Sequence, residues 1–281
     1  VTAAAPKSAH TMESRFQIAT IASGNGSIWA WRAGLPHAPV HALFARLGGT
    51  SLPPYGSLNL GLHTGDDPER VVANRRLAVE ALGLSIDRVV AAEQVHGDRI
   101  AVVDGSDRGR GARDLATAVP GTDGLVTLTK GVVLFAFFAD CLPVFLWDEA
   151  GKGIGLAHAG WKGTAKGVAA RAVEALAAAG VPAGRLWAAL GPCIGPCCYE
   201  VGEDVAEAFR KRFGPGAVKR ARSNRVSVDL SEANAIELAR AGVHPDRIIV
   251  SRACTSCRTD LFFSHRAEGP RTGRMAAVIA L

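Results

Sequence analysis

The chain has 281 residues, of which 48% are hydrophobic and 21% charged, enough to bury a substantial core and too apolar for a disordered chain. Its apolar run at 131–147 is broken by Asp140 and Pro143 and falls short of the roughly 20 uninterrupted residues of a membrane helix, so no membrane role is expected. The 32 Lys and Arg outnumber the 26 Asp and Glu, giving a net charge of +6. That excess suits an anionic small molecule such as phosphate; the basic residues are not interleaved with aromatics, so no nucleic-acid partner is expected.

In chain order, residues 1–14 are small and polar and read as a loose leader, leaving 15–281 as a single domain without a linker or internal repeat. The leader lacks the basic-then-apolar layout of a secretory signal, which makes a cytoplasmic location the expectation and six reduced cysteines its corollary. Gly24-Asn25-Gly26 starts like a dinucleotide fingerprint, but Trp29 stands where a third glycine belongs. Asp66-Asp67-Pro68 opens a helix over 66–82, with Gly83 just past its end. Short β-rich runs follow at 88–92 and 100–103. The polar, Gly- and Arg-rich stretch 104–123 is long for a structureless loop and reads as a candidate lid.

Strands are expected at 124–127, 132–138 and 154–157, then an Ala-rich helix at 165–179 ended by Gly180. Further strands fall at 186–190 and 248–251, with helices at 203–213 and 231–241 between them, the second capped by Ser231. Strands and helices are mixed without strict alternation. That order argues for an α+β fold and against a simple doubly wound sheet.

Three residues with ligand chemistry stand at ends of β-rich runs: His96, Cys141 and His158. Two imidazoles and a thiolate suit Zn²⁺, and three protein ligands leave a fourth position for water or substrate, the mark of a catalytic site. Their wide spacing carries no local metal signature, so satisfied loop histidines and a small core cysteine are the plainer reading. A rival use is nucleophilic, with Cys141 as thiolate and His158 as base; metal content separates the two.

The remaining cysteines are Cys193, Cys197 and Cys198 in a Gly- and Pro-punctuated turn, and the C-x-x-C pair Cys254 and Cys257. A second, four-cysteine zinc site is one reading of them, but neither group has the context of a zinc ribbon, which favours core or turn cysteines. Residues 159–164 place backbone N–H groups and Lys162 at a helix start, where an anion is favoured, although a tight turn with Trp161 in the core explains them equally well.

Several stretches stand in order: Ser57-Leu58-Asn59-Leu60-Gly61, Asn74-Arg75, Gln94-Val95-His96-Gly97, Ala139-Asp140-Cys141-Leu142-Pro143, His158-Ala159-Gly160-Trp161, Leu190-Gly191-Pro192-Cys193-Ile194-Gly195 and Thr272-Gly273-Arg274. Together they resemble the bacterial YfiH family, the laccase-domain proteins variously called polyphenol oxidase, purine nucleoside phosphorylase and peptidoglycan editing factor. The resemblance spans residues 43–281. It implies a single-domain, four-layer α/β/β/α sandwich with mixed β-sheets, and it implies that His96, Cys141 and His158 are the metal ligands. Two positions depart from the family: Lys162 stands where Arg is frequent, and His265 where Tyr is common.

The activities implied are phosphorolysis of adenosine, inosine, guanosine or methylthioadenosine, and deamination of adenosine. The carboxylates nearest the ligands in sequence, Asp140 and Glu93, are the candidates for general acid and base, or for partners of a ligating His. Arg75, Arg266 and Arg274, with Asn59, are the candidates for binding substrate and phosphate. A multicopper oxidase needs about eight His in paired His-x-His motifs; this chain has eight His in all and no such pair. Zinc is therefore the expected metal, with copper as the alternative. A peptidoglycan-precursor editing amidase using Cys141 and His158, and a copper-dependent polyphenol oxidase, stand as the other readings.

Overall fold

In the computed structural model, which describes residues 16–23, 26–35 and 37–281, two six-stranded sheets lie between helical layers. The expected leader at 1–14 and the Gly24-Asn25 pair lie outside the described residues. The first sheet contains β1 (Phe16–Ser23), β2 (Gly26–Ala33), β3 (Val40–Phe44), β4 (Val89–Ala91), β7 (Val133–Phe138) and β14 (Met275–Ala280), in the order β1-β2-β3-β14-β7-β4. The second contains β5 (Ile100–Val102), β6 (Gly124–Thr127), β8 (Leu142–Asp148), β9 (Ile154–Ala159), β10 (Leu186–Leu190) and β13 (Ile248–Val250), in the order β13-β10-β8-β9-β6-β5. Both are mixed: β4 with β7, β5 with β6 and β10 with β13 are parallel pairs among antiparallel ones. A small ribbon pairs β11 (Val218–Arg220) with β12 (Val226–Val228).

The layering follows from strands that are apolar on both faces. Along β7, Leu134, Ala136 and Phe138 enter the core between the sheets, while Val133, Phe135 and Phe137 enter an outer core. Along β14, Met275, Ala277 and Ile279 alternate in the same way with Ala276, Val278 and Ala280. A period of two with no polar face marks a strand buried on both sides. Helix α1 (Pro68–Glu80) covers the outer face of the first sheet through Ala78 and Val79. The outer face of the second is covered by α3 (Val168–Ala178), α4 (Glu203–Phe213) and α5 (Leu230–Arg240), which bring Val173, Leu176, Phe209, Phe213, Ala233 and Leu238 onto Val144, Leu146 and Ala157. The result is the expected α+β fold, layered α/β/β/α.

Several expectations shift in detail. The Ala-rich helix is two helices, α2 (Trp161–Lys166) and α3, separated at Gly167 with φ +89°. A Cβ there would lie 2.7 Å from Arg212 Nη2 and 3.0 Å from Glu237 Oε1, so only glycine admits the Arg212–Glu237 ion pair across the break. Helix α5 is capped by Asp229 rather than Ser231: the Asp229 carboxylate accepts from Glu232 N at 3.0 Å. The stretch 104–123 is not a loose lid. It runs beside β4, with bonds from Ala91 N to Arg110 O at 2.9 Å, Val119 N to Ala91 O at 3.0 Å and Glu93 N to Val119 O at 2.9 Å, and it buries Ala112 completely.

Candidate metal centre and its cavity

His96 and Cys141 lie in two separate connections and His158 in strand β9, and the three meet at one end of the sheets. His96 follows β4 in a left-handed conformation, φ +59°, which costs a non-glycine residue on the order of 1–3 kcal/mol unless its surroundings impose it. Asp123 imposes it: its carboxylate accepts from the backbone N–H groups of Val95 at 3.2 Å, His96 at 2.9 Å and Gly97 at 2.6 Å. Cys141 lies in the tight turn from β7 to β8, after Asp140 at φ +89°. There the Asp140 carboxylate accepts from the Thr255 hydroxyl at 2.6 Å and from Arg266 N at 2.7 Å.

His158 sits in β9 opposite Pro143 of β8, so the strand register places it beside the Cys141 turn. Its Nδ1 donates to Asp123 Oδ1 at 2.9 Å, which leaves Nε2 as the ring's other nitrogen free to hold a metal, with the carboxylate fixing the ring's tautomer and orientation. Gly160 permits the approach of Cys141 and His96, since a Cβ there would lie 3.0 Å from Cys141 Sγ and 3.2 Å from His96 Cδ2. One ligand atom from each of the three lies within 4.8 Å of the others. Exposure is graded from buried His158 through half-buried Cys141 to His96 at the surface of the cavity, so the donor set is closed behind and open in front.

The charges favour a cation. Burial alone would keep Cys141 protonated, yet the facing imidazoles of His158 and His96 overcome it and bring the thiol down to about 6. Burial likewise opposes charge on His158, but the Cys141 thiolate and the Asp123 carboxylate outweigh it and raise the ring to about 9. Burial works against ionisation of Asp123 too, and the bonds from His158, Gly97 and Val95 hold its carboxyl below the ordinary range all the same. The opposed shifts pair a thiolate with an imidazolium, and a metal would take the place of the Nε2 proton. The borderline-soft N/N/S set, preformed and negatively charged at sulfur, fits Zn²⁺.

In front of the three donors lies a cavity of about 570 Å³. Of the residues expected at the site, Glu93, Asp140, Arg266 and Arg274 line it. Both oxygens of Asp140 are engaged as above, which makes that carboxylate a fixed strut. Glu93 accepts from Gly121 N through Oε2 at 3.1 Å and is otherwise exposed. The Arg266 guanidinium is exposed, lies over Tyr199 and donates to Cys198 O at 3.2 Å and Glu200 O at 3.1 Å. Arg274 donates to Thr272 O at 2.8 Å and Gly273 O at 2.9 Å. These are bonds to neutral carbonyls, so both guanidiniums bring their charge to the cavity wall.

Arg75 and Asn59 are not brought to the cavity. Arg75 is 1% exposed and donates to Leu60 O at 2.7 Å, Gly111 O at 2.7 Å and Ala112 O at 2.9 Å. It packs under the Phe137 ring, 4.4 Å from the centroid, and burial lowers its pKa to about 9. Asn59 is fully buried, donates to Thr64 and Asp66, and accepts from Arg274 N at 2.8 Å. Both support the wall from behind. Lys162 is exposed on α2 above Trp161 and does not line the cavity.

Asp123 escaped the sequence reading, as did His63, Gln94, Phe137 and Tyr199 in the wall. Gln94 acts as a surrogate strand residue: its amide donates to Phe137 O at 2.9 Å and accepts from Phe137 N at 2.8 Å. Its place in the Gln-Val-His-Gly stretch was the available signal. Among the cysteines, Cys193 is buried beside Ser231 Oγ at 3.4 Å. Cys197, Cys198, Cys254 and Cys257 lie in turns at the edge of the helical core, as expected, and the fold gathers them into one cluster.

The family model described as multi-copper polyphenol oxidoreductase laccase matches residues 40–281, and the chain belongs to that family. It is 45% identical over 249 residues to the purine nucleoside phosphorylase YlmD of Geobacillus stearothermophilus, covering 85% of this chain and 89% of that protein. It is 35% identical over 223 residues to the adenosine deaminase RL5 of an unknown prokaryotic organism, covering 78% of this chain and 85% of that protein. The crystal structure of the Geobacillus YlmD superimposes with a TM-score of 0.86 at 42% identity, covering 94% of this chain and 99% of the other. Bacillus licheniformis YfiH gives a TM-score of 0.82 at 37% identity, with 90% and 92% covered. Among the described residues no helix is long and apolar enough to cross a membrane.

Proposed function

We propose that the protein is a zinc-dependent purine nucleoside phosphorylase that also deaminates adenosine, with a purine nucleoside and inorganic phosphate as its small-molecule partners. The observation that carries this reading is the juxtaposition of an open His96/Cys141/His158 donor set with two carbonyl-bound guanidiniums, Arg266 and Arg274, in one cavity. Relatives named for both activities support it. A zinc ion held by the three donors supplies Lewis-acid polarisation of an oxygen or a water activated near neutral pH.

The protein's own residues supply the rest. Arg266 and Arg274 bind phosphate through charge-assisted hydrogen bonds. Phe137, Leu115 and Tyr199 present apolar surface to the purine and ribose. Glu93, the accessible carboxylate, moves the proton to or from the base, while Asp140 holds the Cys141 turn against Thr255 and Arg266.

The test is adenosine turnover by metal-replete protein with and without phosphate. Saturable, phosphate-dependent release of adenine with pentose 1-phosphate is the expected result, together with phosphate-independent inosine formation. Adenine release at the same rate without phosphate would overturn the phosphorylase reading.

One observation favours a second reading. Cys141, His158 and Asp123 also form a thiolate, imidazole and carboxylate in series, the arrangement of a cysteine hydrolase. Against it, the Cys141 sulfur bonds to two imidazoles, those of His158 and His96, which is a ligand set rather than a nucleophile with one base. Metal-free protein that hydrolyses amide or ester substrates would establish the cysteine reading.

A further inference from the structure

The structure assigns a second metal site to this chain: Cys197, Cys198, Cys254 and Cys257 form a closed four-thiolate site for zinc that straps two loops behind one wall of the cavity. Their sulfurs all lie within 4.8 Å of one another, with Cys197 Sγ 3.5 Å and Cys198 Sγ 3.4 Å from Cys257 Sγ. Four sulfurs held tetrahedrally at about 2.3 Å from a zinc ion stand about 3.8 Å apart, whereas a disulfide joins its sulfurs at about 2.05 Å. The observed separations lie near the first value and far from the second.

The backbone is arranged as a thiolate site requires. Gly195 N donates to Cys254 Sγ at 3.2 Å, and the backbone N–H of Cys257 bonds to the same sulfur. Such donors offset thiolate charge while leaving lone pairs for a metal. Gly195 also admits the close approach of the loops, because a Cβ there would lie 3.2 Å from Cys254 Cβ and 3.3 Å from Cys197 Sγ.

Four cysteines converge where the chain has no regular structure to hold it. The loop after β10 and the loop after β13 are joined, outside the regular strands, by the isolated bridge between Cys193 and Cys254 and by the bond from Gly195 N to Cys254 Sγ. Cys254 lies in the same helical core as Cys193, and the other three pack half-buried against its edge, where their sulfurs face one another rather than the core interior. Four protein ligands leave no open position, which makes this a structural site, unlike the three-donor centre. Its cargo of contacts is specific: Cys198 O accepts from Arg266 Nη1, Tyr199 follows in the cavity wall, and Thr255 bonds to Asp140.

The site is independent of the purine reading, and its decisive test leaves all four cysteines intact. Cys141→Ala removes the sulfur of the cavity centre alone. Wild-type protein prepared with zinc is expected to hold two equivalents per chain and Cys141→Ala one. Substituting Co²⁺ into Cys141→Ala is expected to give the intense thiolate charge-transfer and tetrahedral ligand-field absorption of a CoS₄ centre. Cys257→Ser in the Cys141→Ala background should lose that spectrum and the remaining equivalent; if it fails to fold, the single variant decides. A metal-free Cys141→Ala protein, or a metal-replete wild type in which these four cysteines are disulfide-bonded, would overturn the proposal.

Discussion

The two walls of the cavity are held by different chemistry. The wall formed by Glu93, Gln94 and His96 after β4 and by Phe137 of β7 is held by polar side chains that bond to backbone: Asp123 to three N–H groups, Gln94 to both backbone groups of Phe137, and Arg75 to three carbonyls. The other part of the lining, with Asp140, Tyr199 and Arg266, stands on the turn before β8, the loop after β10 and the four-residue helix His265–Glu268, next to the cysteine cluster and the Thr255–Asp140 bond. Buried charge and unpaired buried carbonyls are costly, and Arg75 already holds one nitrogen, Nη2, without a partner, so the first wall is intolerant of further truncation. In the second, a change in the loop ties is expected to appear in the site before it appears in global stability.

The largest effect that would break this contrast is in the first wall. Arg75→Met should destabilise the protein by about 3 kcal/mol, because three buried carbonyls lose their donor. Denaturant unfolding measures it, and Arg76→Met on the exposed face of the same helix serves as the control. Equal stability of the two variants would show that the first wall does not depend on its buried cation.

Arg266→Ala, in the second wall, should leave stability near wild type. It should raise the KM for phosphate roughly ten- to hundredfold, as expected for losing about 1.5–3 kcal/mol of charge-assisted bonding. An unchanged phosphate KM would remove Arg266 from the anion site. Asp123→Asn should weaken zinc binding by about 10- to 100-fold, the usual effect of losing the carboxylate behind a ligating histidine. Chelator competition reads this directly.

The smallest expected effect concerns pH. His63 opens onto the cavity, yet burial and the charges of Arg274 and Arg75 hold its pKa down at about 4. Its folded value is depressed, so the ring stays neutral above about pH 5, and its protonation is a folded-state penalty that grows only as pH falls from the ordinary value near 6.5 toward 4. The pH profile of kcat/KM between 5 and 8 should therefore keep its acid limb in His63→Gln. A shifted limb would show that His63 titrates in the working range.

Legibility in the sequence followed the same division. His96, Cys141 and His158 could be read because each ends a β-rich run within a short recognisable stretch. Asp123, which orients both histidines, lies in a different connection, and nothing local distinguishes it from the other aspartates of 104–123. The helix at 203–213 was plain from its amphipathic pattern and Gly214. Strand β8 was hidden by Pro143, which is tolerated as the second residue of the strand, where its carbonyl accepts from Gly191 N at 3.0 Å.

Arg75 shows the opposite failure. A motif arginine beside a motif asparagine suggests an anion site, but only the packing of α1 against the first sheet reveals that the guanidinium is spent on carbonyls. The cysteine cluster was obscured in the same way, since its pairs lie more than fifty residues apart and join only when β10 and β13 pair side by side.

The most direct test is a crystal grown with zinc and phosphate and measured on both sides of the zinc absorption edge. The expected result is an anomalous peak within bonding distance of His96 Nε2 or Nδ1, Cys141 Sγ and His158 Nε2, with a phosphate held by Arg266 and Arg274 in the same cavity. A metal-replete crystal with no anomalous density between those three donors, or with phosphate bound only away from the two arginines, would contradict a metal centre that works beside an anion-binding wall.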